Sequence, residues 1–596
     1  MIHLEGKLAG LRDSMESNGI DYYLIRTADP HLGENIPEHW QIISWLTGFT
    51  GSNATVIVTF SFAGLWTDSR YFMQAREQLK DSAFSFIEPE SAGGNDYIRW
   101  LEDNVDENSV LSTDSRTISV GMWRKIEKAL AGKNIKYMTD IDLVSAVWTD
   151  RPALSASLAF DFPVIYAGKA RAAKIAEVRN QMAGRSLDYH LLASPDDIMW
   201  MLNIRGGDVK YSPLLSAFAI VGMEQVLLFA DEDKFSYSLA SELDRIGVVI
   251  LPYLEIAAIL SHIPEESSIL ISTESTSLSL YNAIPRGMRI SEGLSIPAKL
   301  KAVKNNIESA HIGKAMVRDG VALTRFFYWI EQNFGSEPMT EISVASMLES
   351  FRSGNEGYMG PSFPAIVAFR EHGAMPHYTA TPESDTVIAG DGLLLVDSGG
   401  QYVDGTTDIT RTVAIGRPSS VQIRDFTLVL KGNIALATVK IPYGTKGIQL
   451  DILARKALWD MGLNYGHGTG HGVGFFLNVH EGPQSISPLS GPESLTIIEA
   501  GMLVSNEPAI YREGEYGIRI ENLIQSYVDE ETVYGQFLKF DTLSLCYIDK
   551  SLIDKSLLEH SETQWLDNYH AMIYEKLNPF LTDSEKEWLR KKTEPL

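Results

Sequence analysis

The segment GLLLVDSGGQYVDGTTDITRTVAIG carries two acids, Asp397 and Asp408, in places that call for a partner. Leu393 to Ser398 reads as one strand and Thr407 to Ile415 as another, with Asp404-Gly405 as the turn signal between them. Asp397 and Asp408 therefore fall on neighbouring strands of a hairpin. Carboxylates are poor strand formers, and one at the inner end of an apolar run such as LLLV is costly unless something neutralises it. A bound cation would satisfy both. An exposed hairpin face with two solvated acids is the plainer alternative.

In YGHGTGHGVGFFLNVHEGP three histidines, His467, His471 and His480, fall inside 14 residues. Gly466, Gly468, Gly470, Gly472 and Gly474 exclude a stable helix there and permit tight backbone turns. Histidine is the commonest metal ligand and the usual proton carrier near neutral pH. A lone histidine in apolar surroundings is usually a satisfied core residue, but three in one glycine-rich run point to a functional site. Further on, Glu507 follows the strand-like MLVSN and precedes Pro508, which stops strand pairing. In GIRIEN the isoleucines alternate with Arg519 and Glu521, so the arginine and the glutamate share one face. Such an arginine can orient a buried carboxylate. Glu521 could equally be one half of a surface ion pair.

Together these residues make four carboxylates and one or two imidazoles, more than one divalent ion needs. Two ions about 3.5–4 Å apart would use the whole set, and a water between them would lose a proton near neutral pH and attack as a nucleophile. Oxygen-dominated ligation suits Mn²⁺, Fe²⁺ or Co²⁺ better than a thiolate-type zinc site. Histidines outside the metal shell could stabilise the oxyanion of a tetrahedral intermediate.

The elements that must position this chemistry belong to a long soluble chain. At 596 residues it exceeds one ordinary domain. An apolar fraction of 44% and a charged fraction of 21% are those of a globular protein, and 77 acids against 51 bases give a formal charge of −26, which opposes binding to nucleic acid. Cys546 is the one cysteine, so no internal disulfide forms, and a small buried hydrophobe is the expected role for it. Leu4, Leu8, Leu11 and Met15 repeat at helical spacing among acids, which reads as an amphipathic helix and not a signal peptide. No uninterrupted apolar run reaches 18 residues, so no membrane span is expected and a cytoplasmic address is the default.

From Met1 to about Arg151, DYYLIR, ATVIVTF and AGLWTDSRYFMQAREQL alternate strand and helix patterns, an α/β arrangement. From about Pro152 to Pro297 this pattern is echoed. The run IISWL with Gly48 returns as IMWML with Arg205-Gly206-Gly207, each before a β-rich stretch. The third part opens with what reads as one helix from about Ala298 to Asn333, and the tail includes SETQWLDNYHAMIYEKL with Ser561 as its expected cap.

The order Asp397, Asp408, His471, Glu507, Glu521, with the flanks VDSGGQYVDGTTDITRT, HGTGHGVG, SNEP and RIEN, resembles the five-ligand site of the pita-bread metallopeptidases. GPSFPAIVA, MPHY, HGTGHGVGFFLNVHEGP, IPAKLKAVKN and WTDSRYFMQA look like the three-domain, cytosolic-type Xaa-Pro aminopeptidases within that family. The resemblance implies two creatinase-like α/β domains, 1–151 and 152–297, followed by a pita-bread catalytic domain, 298–596, an α/β (α+β) fold overall. It also implies that Asp397 chelates one ion, His471 and Glu507 the other, and that Asp408 and Glu521 bridge both. Two divalent ions are implied, Mn²⁺ first, with Co²⁺, Fe²⁺ or Zn²⁺ as alternatives. His377, His467 and His480 match the family's active-site histidines, which bind substrate carbonyls and steady the intermediate. Glu507 would also shuttle the proton of the water, and Arg519 would stand behind the ligands.

The implied activity is hydrolysis of the bond in front of a proline at the second position of a peptide. A homodimer is implied too, with Trp459 at the subunit contact. A prolidase acting on Xaa-Pro dipeptides is the main alternative, and length and three-domain layout oppose it. A metal-free creatinase-like enzyme or a non-catalytic binding protein would not need all five ligands. One departure stands out: AFREHGAMPHY puts Phe369, Arg370, Glu371 and His372 where many relatives carry small residues. Since this loop leads into His377, it is expected to narrow or charge the site entrance.

Overall fold

The echo between the two N-terminal stretches is a repeat of topology. In a computed structural model of the chain, residues 2–89 and 96–596 are described, and they divide into two units, Met1–Leu300 and Lys301–Leu596. The first unit contains two six-stranded sheets. In chain order within each sheet, the strands lie 4-3-2-1-5-6 in both. The pairings match as well: strand 1 is antiparallel to strand 2 and parallel to strand 5, and strand 3 is antiparallel to 2 and parallel to 4. The echoed residues are the helices Ile42–Thr47 and Pro195–Leu202, each closed by a left-handed residue, Gly48 or Asn203.

Period two explains why these sheets are covered on both faces. In the strand Tyr22–Arg26, Tyr23 and Ile25 pack with Leu8, Leu11 and Met15 of the helix Ile2–Ser17. Tyr22 and Leu24 point the other way, to Trp66 and Trp123.

The expected single helix from Ala298 to Asn333 is interrupted. Helices run Ile296–Ala302 and Asn306–Asn333, with a break at 303–305. There the Lys304 N–H donates to Gly501 O at 3.1 Å, and Asn305 caps the long helix by accepting from Ile307 N and Glu308 N at 2.9 and 3.0 Å. The Glu308 carboxylate returns to Asn305 N at 2.9 Å. N-x-x-E is a helix-start signature that helical periodicity alone overrides. The tail helix likewise begins at His560, before the expected cap Ser561, with Glu559 N held by Glu562.

Three small antiparallel assemblies carry the chemistry: Ile366–Phe369, Gly392–Ser398 and Ile409–Ile415; Leu503–Asn506 beside Asn522–Thr532; and the hairpin Ala509–Arg512 with Tyr516–Arg519. In Gly392–Ser398, Leu394 and Val396 enter the main core, while Leu395 packs with Ile366 and Tyr378. Asp397 lies two residues beyond Leu395 and so shares that second face. Cys546 is buried, which pushes its thiol up to about 11, as expected of a small core residue. Among the described residues no helix is long and apolar enough to cross a membrane.

Candidate metal centre

Asp397 faces Thr410 across the ladder of the strands Gly392–Ser398 and Ile409–Ile415. Asp408 sits one residue ahead of the second strand, not on it. Between them Gly400–Tyr402 pairs with Gly405–Thr406, so the turn falls on Val403-Asp404, one residue before the expected place. Asp397 is 8%, Asp408 4% and Glu521 2% exposed. Those values overturn both the solvated hairpin and the surface ion pair.

The glycine-rich run forms no helix. Its short strand Gly470–His471 pairs with Ser485–Ile486, and Gly470 is required: a Cβ there would stand 2.0 Å from Ser505 O. That close approach seats His471 beside the strand leading to Glu507. Ser505 Oγ accepts from His471 N at 2.9 Å and donates to Glu507 Oε1 at 3.2 Å. His471 Nδ1 lies 2.9 Å from Gly472 O, an acceptor only, so Nδ1 carries a proton and Nε2 faces the acids. Nε2 is 3.4 Å from Asp408 Oδ2 and 3.6 Å from Glu507 Oε1.

Ligand atoms of Asp397, Asp408 and Glu521 lie within 4.8 Å of one another, and so do those of His471, Glu507 and Glu521, and of Asp408, His471 and His480. All five expected ligands are thus gathered in overlapping triplets, with Asp408, His471 and Glu521 each in two. His480, expected among the substrate-binding histidines, joins the cluster and stands edge-on to His471 with ring centres 4.2 Å apart. His467 Nδ1 approaches Glu507 Oε2 at 4.0 Å, and its Nε2 is 2.9 Å from Tyr511 Oη. His377 is half-buried beside the cluster, since the Pro376 carbonyl just before it accepts from Arg519 Nη2 at 3.4 Å.

The electrostatics of the cluster are those of a cation site. Burial drives Asp397 upward, helped by the Asp408 charge and opposed by Arg519. Glu521 is pushed well above the usual carboxylate range by burial and by Asp408, Glu507 and Asp397. Burial lifts Glu507 to about 7, with His471 and Arg519 pulling against it. Burial alone would depress His471, but the Asp408 hydrogen bond and the Glu507 charge raise it to about 9. Asp397 Oδ1 is buried and meets no hydrogen-bond donor among the described residues. A buried, unpaired carboxylate oxygen inside a crowd of carboxylates is what a divalent cation would correct. The donor set, mostly oxygen with imidazole, fits a hard or borderline ion.

A pH dependence follows. Near neutral pH the metal-free cluster holds the His471 proton and a share of the Glu507 proton. Ligation requires both groups to be deprotonated. Cation affinity is therefore expected to climb as pH rises through about 7, with protons released on binding. Titration calorimetry in buffers of different ionisation enthalpy, from pH 6 to 8, reads both. Flat affinity with no proton release would contradict it.

Two residues of the site were missed in the sequence. Arg519 pairs with Asp397 Oδ2, donates from Nε to Thr410 Oγ1 at 3.0 Å, and donates from Nη1 to Tyr511 Oη at 2.5 Å. Thr410 Oγ1 in turn donates to Glu521 Oε2 at 2.8 Å. Thr410 was legible, because Asp408 and Thr410 share a face at period two. Tyr511 becomes visible only once its hairpin with Tyr516–Arg519 has folded.

The departing loop is tied inward. Phe369 is in the main core at 1% exposure, Arg370 donates to the carbonyls of Ala389 and Asp391, and His372 turns to Glu341. Of the four bulky residues, Arg370 and Glu371 are both exposed. Phe369 and His372 thus spend their bulk on the framework, while Arg370 and Glu371 keep their charges at the surface.

Residues 310–526 match the model of Metallopeptidase family M24, and residues 536–596 that of the C-terminal region of peptidase_M24. Residues 7–145 and 150–308 each match a creatinase/prolidase N-terminal domain. Aminopeptidase P2 of Arabidopsis thaliana is 36% identical over 100% of this chain and 89% of its own length. Xaa-Pro aminopeptidase 2 of Homo sapiens is 36% identical over 99% of this chain and 88% of its own. The crystal structure of X-prolyl aminopeptidase from Caenorhabditis elegans, a cytosolic enzyme with a di-nuclear active site, matches with a TM-score of 0.95 and 32% identity over 100% of both chains.

Proposed function

The chain belongs to metallopeptidase family M24, and from that premise we propose that it is a metal-dependent aminopeptidase that hydrolyses the peptide bond in front of a proline at the second position. The fold is mixed α/β, with two creatinase-like N-terminal domains and a pita-bread catalytic domain. We divide the chain as 1–151, 152–297 and 298–596. The repeated six-strand order supports the first of those boundaries. The observation that carries the reading is the overlap of the three ligand triplets around buried acids, one of which has an unpartnered oxygen.

Two divalent ions are assigned to Asp397, Asp408, His471, Glu507 and Glu521, and Mn²⁺ is the ion proposed. When bound, the pair would acidify a water and polarise the scissile carbonyl. Glu507 is assigned to take a proton and return it to the leaving proline nitrogen. His377 and His480 are assigned to the substrate carbonyl and the developing oxyanion, where positioned donors strengthen as charge develops. His467 joins through Glu507 and Tyr511. Arg519 opposes the rise that burial imposes on Asp397 and orients its carboxylate. The substrate is a peptide, the address is cytoplasmic, and the assembly is a homodimer in which Trp459, 46% exposed at the end of the helix Gly447–Trp459, meets its partner.

A panel of Xaa-Pro-Yaa, Xaa-Ala-Yaa and Xaa-Pro peptides tests the reading, run with chelator and again with Mn²⁺ restored. The expected result is cleavage of Xaa-Pro-Yaa alone, lost on chelation and regained with Mn²⁺. Cleavage of the dipeptide but not the tripeptide would move the reading to a dipeptidase, and undiminished cleavage under chelation would end it.

A further inference from the structure

Glu341 is buried at 0% exposure and takes no part in the chemistry above. It opens the helix Glu341–Ser353, where an acid in the first turn suits the helix dipole. That alone does not account for its burial, because a buried carboxylate is costly unless its lone pairs are occupied. Here they are occupied by donors from both sides of His377. Phe369 N–H donates to Oε1 at 2.8 Å, and His372 Nδ1 lies 2.9 and 3.0 Å from the two oxygens. Tyr378 Oη donates to Oε2 at 2.8 Å, and Thr386 N–H reaches Oε2 at 3.3 Å. The His372 ring also stacks on Tyr378, with centroids 4.5 Å apart and planes at 28°.

The same segment is clamped on its other side. Gly373 and Gly517 touch backbone to backbone, so that a Cβ on Gly517 would fall 1.7 Å from Gly373 O. Arg519, which pairs with Asp397, holds the Pro376 carbonyl. His377 is therefore bracketed by Pro376 on Arg519 and Tyr378 on Glu341.

We infer that Glu341 and His372 are positioning residues for His377, fixing the 369–378 segment so that the imidazole keeps one place against the substrate carbonyl. The inference rests on the role proposed for His377. It also gives His372 a purpose, as a side-chain donor to the carboxylate that takes the Phe369 backbone N–H. A catalytic group displaced by about 1 Å can lose up to about a hundredfold in rate, so a loosened segment should act on kcat more than on KM.

Glu341→Gln keeps the volume and removes the charge. In the Mn²⁺-loaded full chain, kcat on an Xaa-Pro-Yaa peptide is expected to fall about tenfold with KM and bound Mn²⁺ near wild type. Amide exchange read by mass spectrometry is expected to quicken in 369–378 and stay unchanged in 503–507. Glu341→Gln added to His377→Gln should lower kcat no further than His377→Gln alone, a non-additivity that general destabilisation would not produce. Unchanged exchange in 369–378, or losses that multiply in the double variant, would overturn the inference. If Glu341→Gln does not fold, His372→Asn serves in the same cycle, and wild-type kcat and exchange in that variant would also overturn it. Wild-type kcat in His377→Gln would overturn the role of His377 together with this inference, whereas multiplying losses beside an impaired His377→Gln would overturn the inference alone.

Discussion

Asp408→Ala is expected to fold, to bind less than the full complement of Mn²⁺, and to cleave Xaa-Pro-Yaa about a thousandfold more slowly, some 4 kcal/mol of lost transition-state stabilisation. Asp408 supplies an oxygen to two of the three triplets and stands 3.4 Å from His471 Nε2. Its removal therefore takes a ligand from both assigned ions. The same substitution relieves the metal-free protein, because the Asp408 charge is among the causes that raise Asp397, Glu507 and Glu521. The melting temperature of the chelated variant should equal or exceed that of the chelated wild type. Loss of activity without loss of stability separates a ligand from a framework residue. Full activity in Asp408→Ala would refute its place at the metals.

Arg519→Met should do the opposite to stability. Arg519 is 3% exposed and carries the positive charge paired with buried Asp397. Removing one partner of a buried pair costs about 3–5 kcal/mol, since the other is left uncompensated. The chelated variant is expected to lose about that much by urea denaturation, and Mn²⁺ should restore part of it by neutralising Asp397. Arg519→Lys keeps the charge but not the fork that reaches Asp397, Thr410 and Tyr511 at once. Its kcat/KM should fall about 10–100-fold, the usual cost of losing a partner that orients metal ligands. Metal-free stability of Arg519→Met within about 1 kcal/mol of wild type would show that Asp397 is not held as an anion by this arginine.

The two substitutions also mark where sequence reading was strong and where it was not. Three of the five residues proposed as metal ligands stood out because each breaks a local rule: Asp397 ends an apolar strand, His471 lies in a histidine-crowded glycine run, and Glu507 precedes a proline. A residue that breaks a local rule has a reason elsewhere, and here the three lie in one cluster. The repeat in the first 300 residues was faint in sequence because a fold needs matching burial patterns, not matching residues. It is plain in the shared strand order.

Other features were not legible, or were misjudged. The helix expected from Ala298 breaks at 303–305 because a capping box and a bond to Gly501 outcompete continued periodicity. His480, proposed to meet the substrate, also has a nitrogen within ligand reach of Asp408 and His471, which the sequence did not show. The FREH loop was expected to narrow or charge the entrance because it leads into His377. Only contacts across 28 and 31 residues, Phe369 and His372 to Glu341, reveal that those two residues are tied inward.

By itself, the amino-acid order specified which groups could do the chemistry, the kind of cation they suit, and an α/β frame to carry them. Those follow from residue type and near-neighbour spacing, which act over a turn of helix or a few rungs of strand. Folding alone decided which oxygen lacks a partner, how far each acid is lifted by its neighbours, and that Tyr511 and Glu341 stand behind the site. These depend on distances between segments far apart in the chain and on the exclusion of water between them, and neither is encoded in any short stretch of residues.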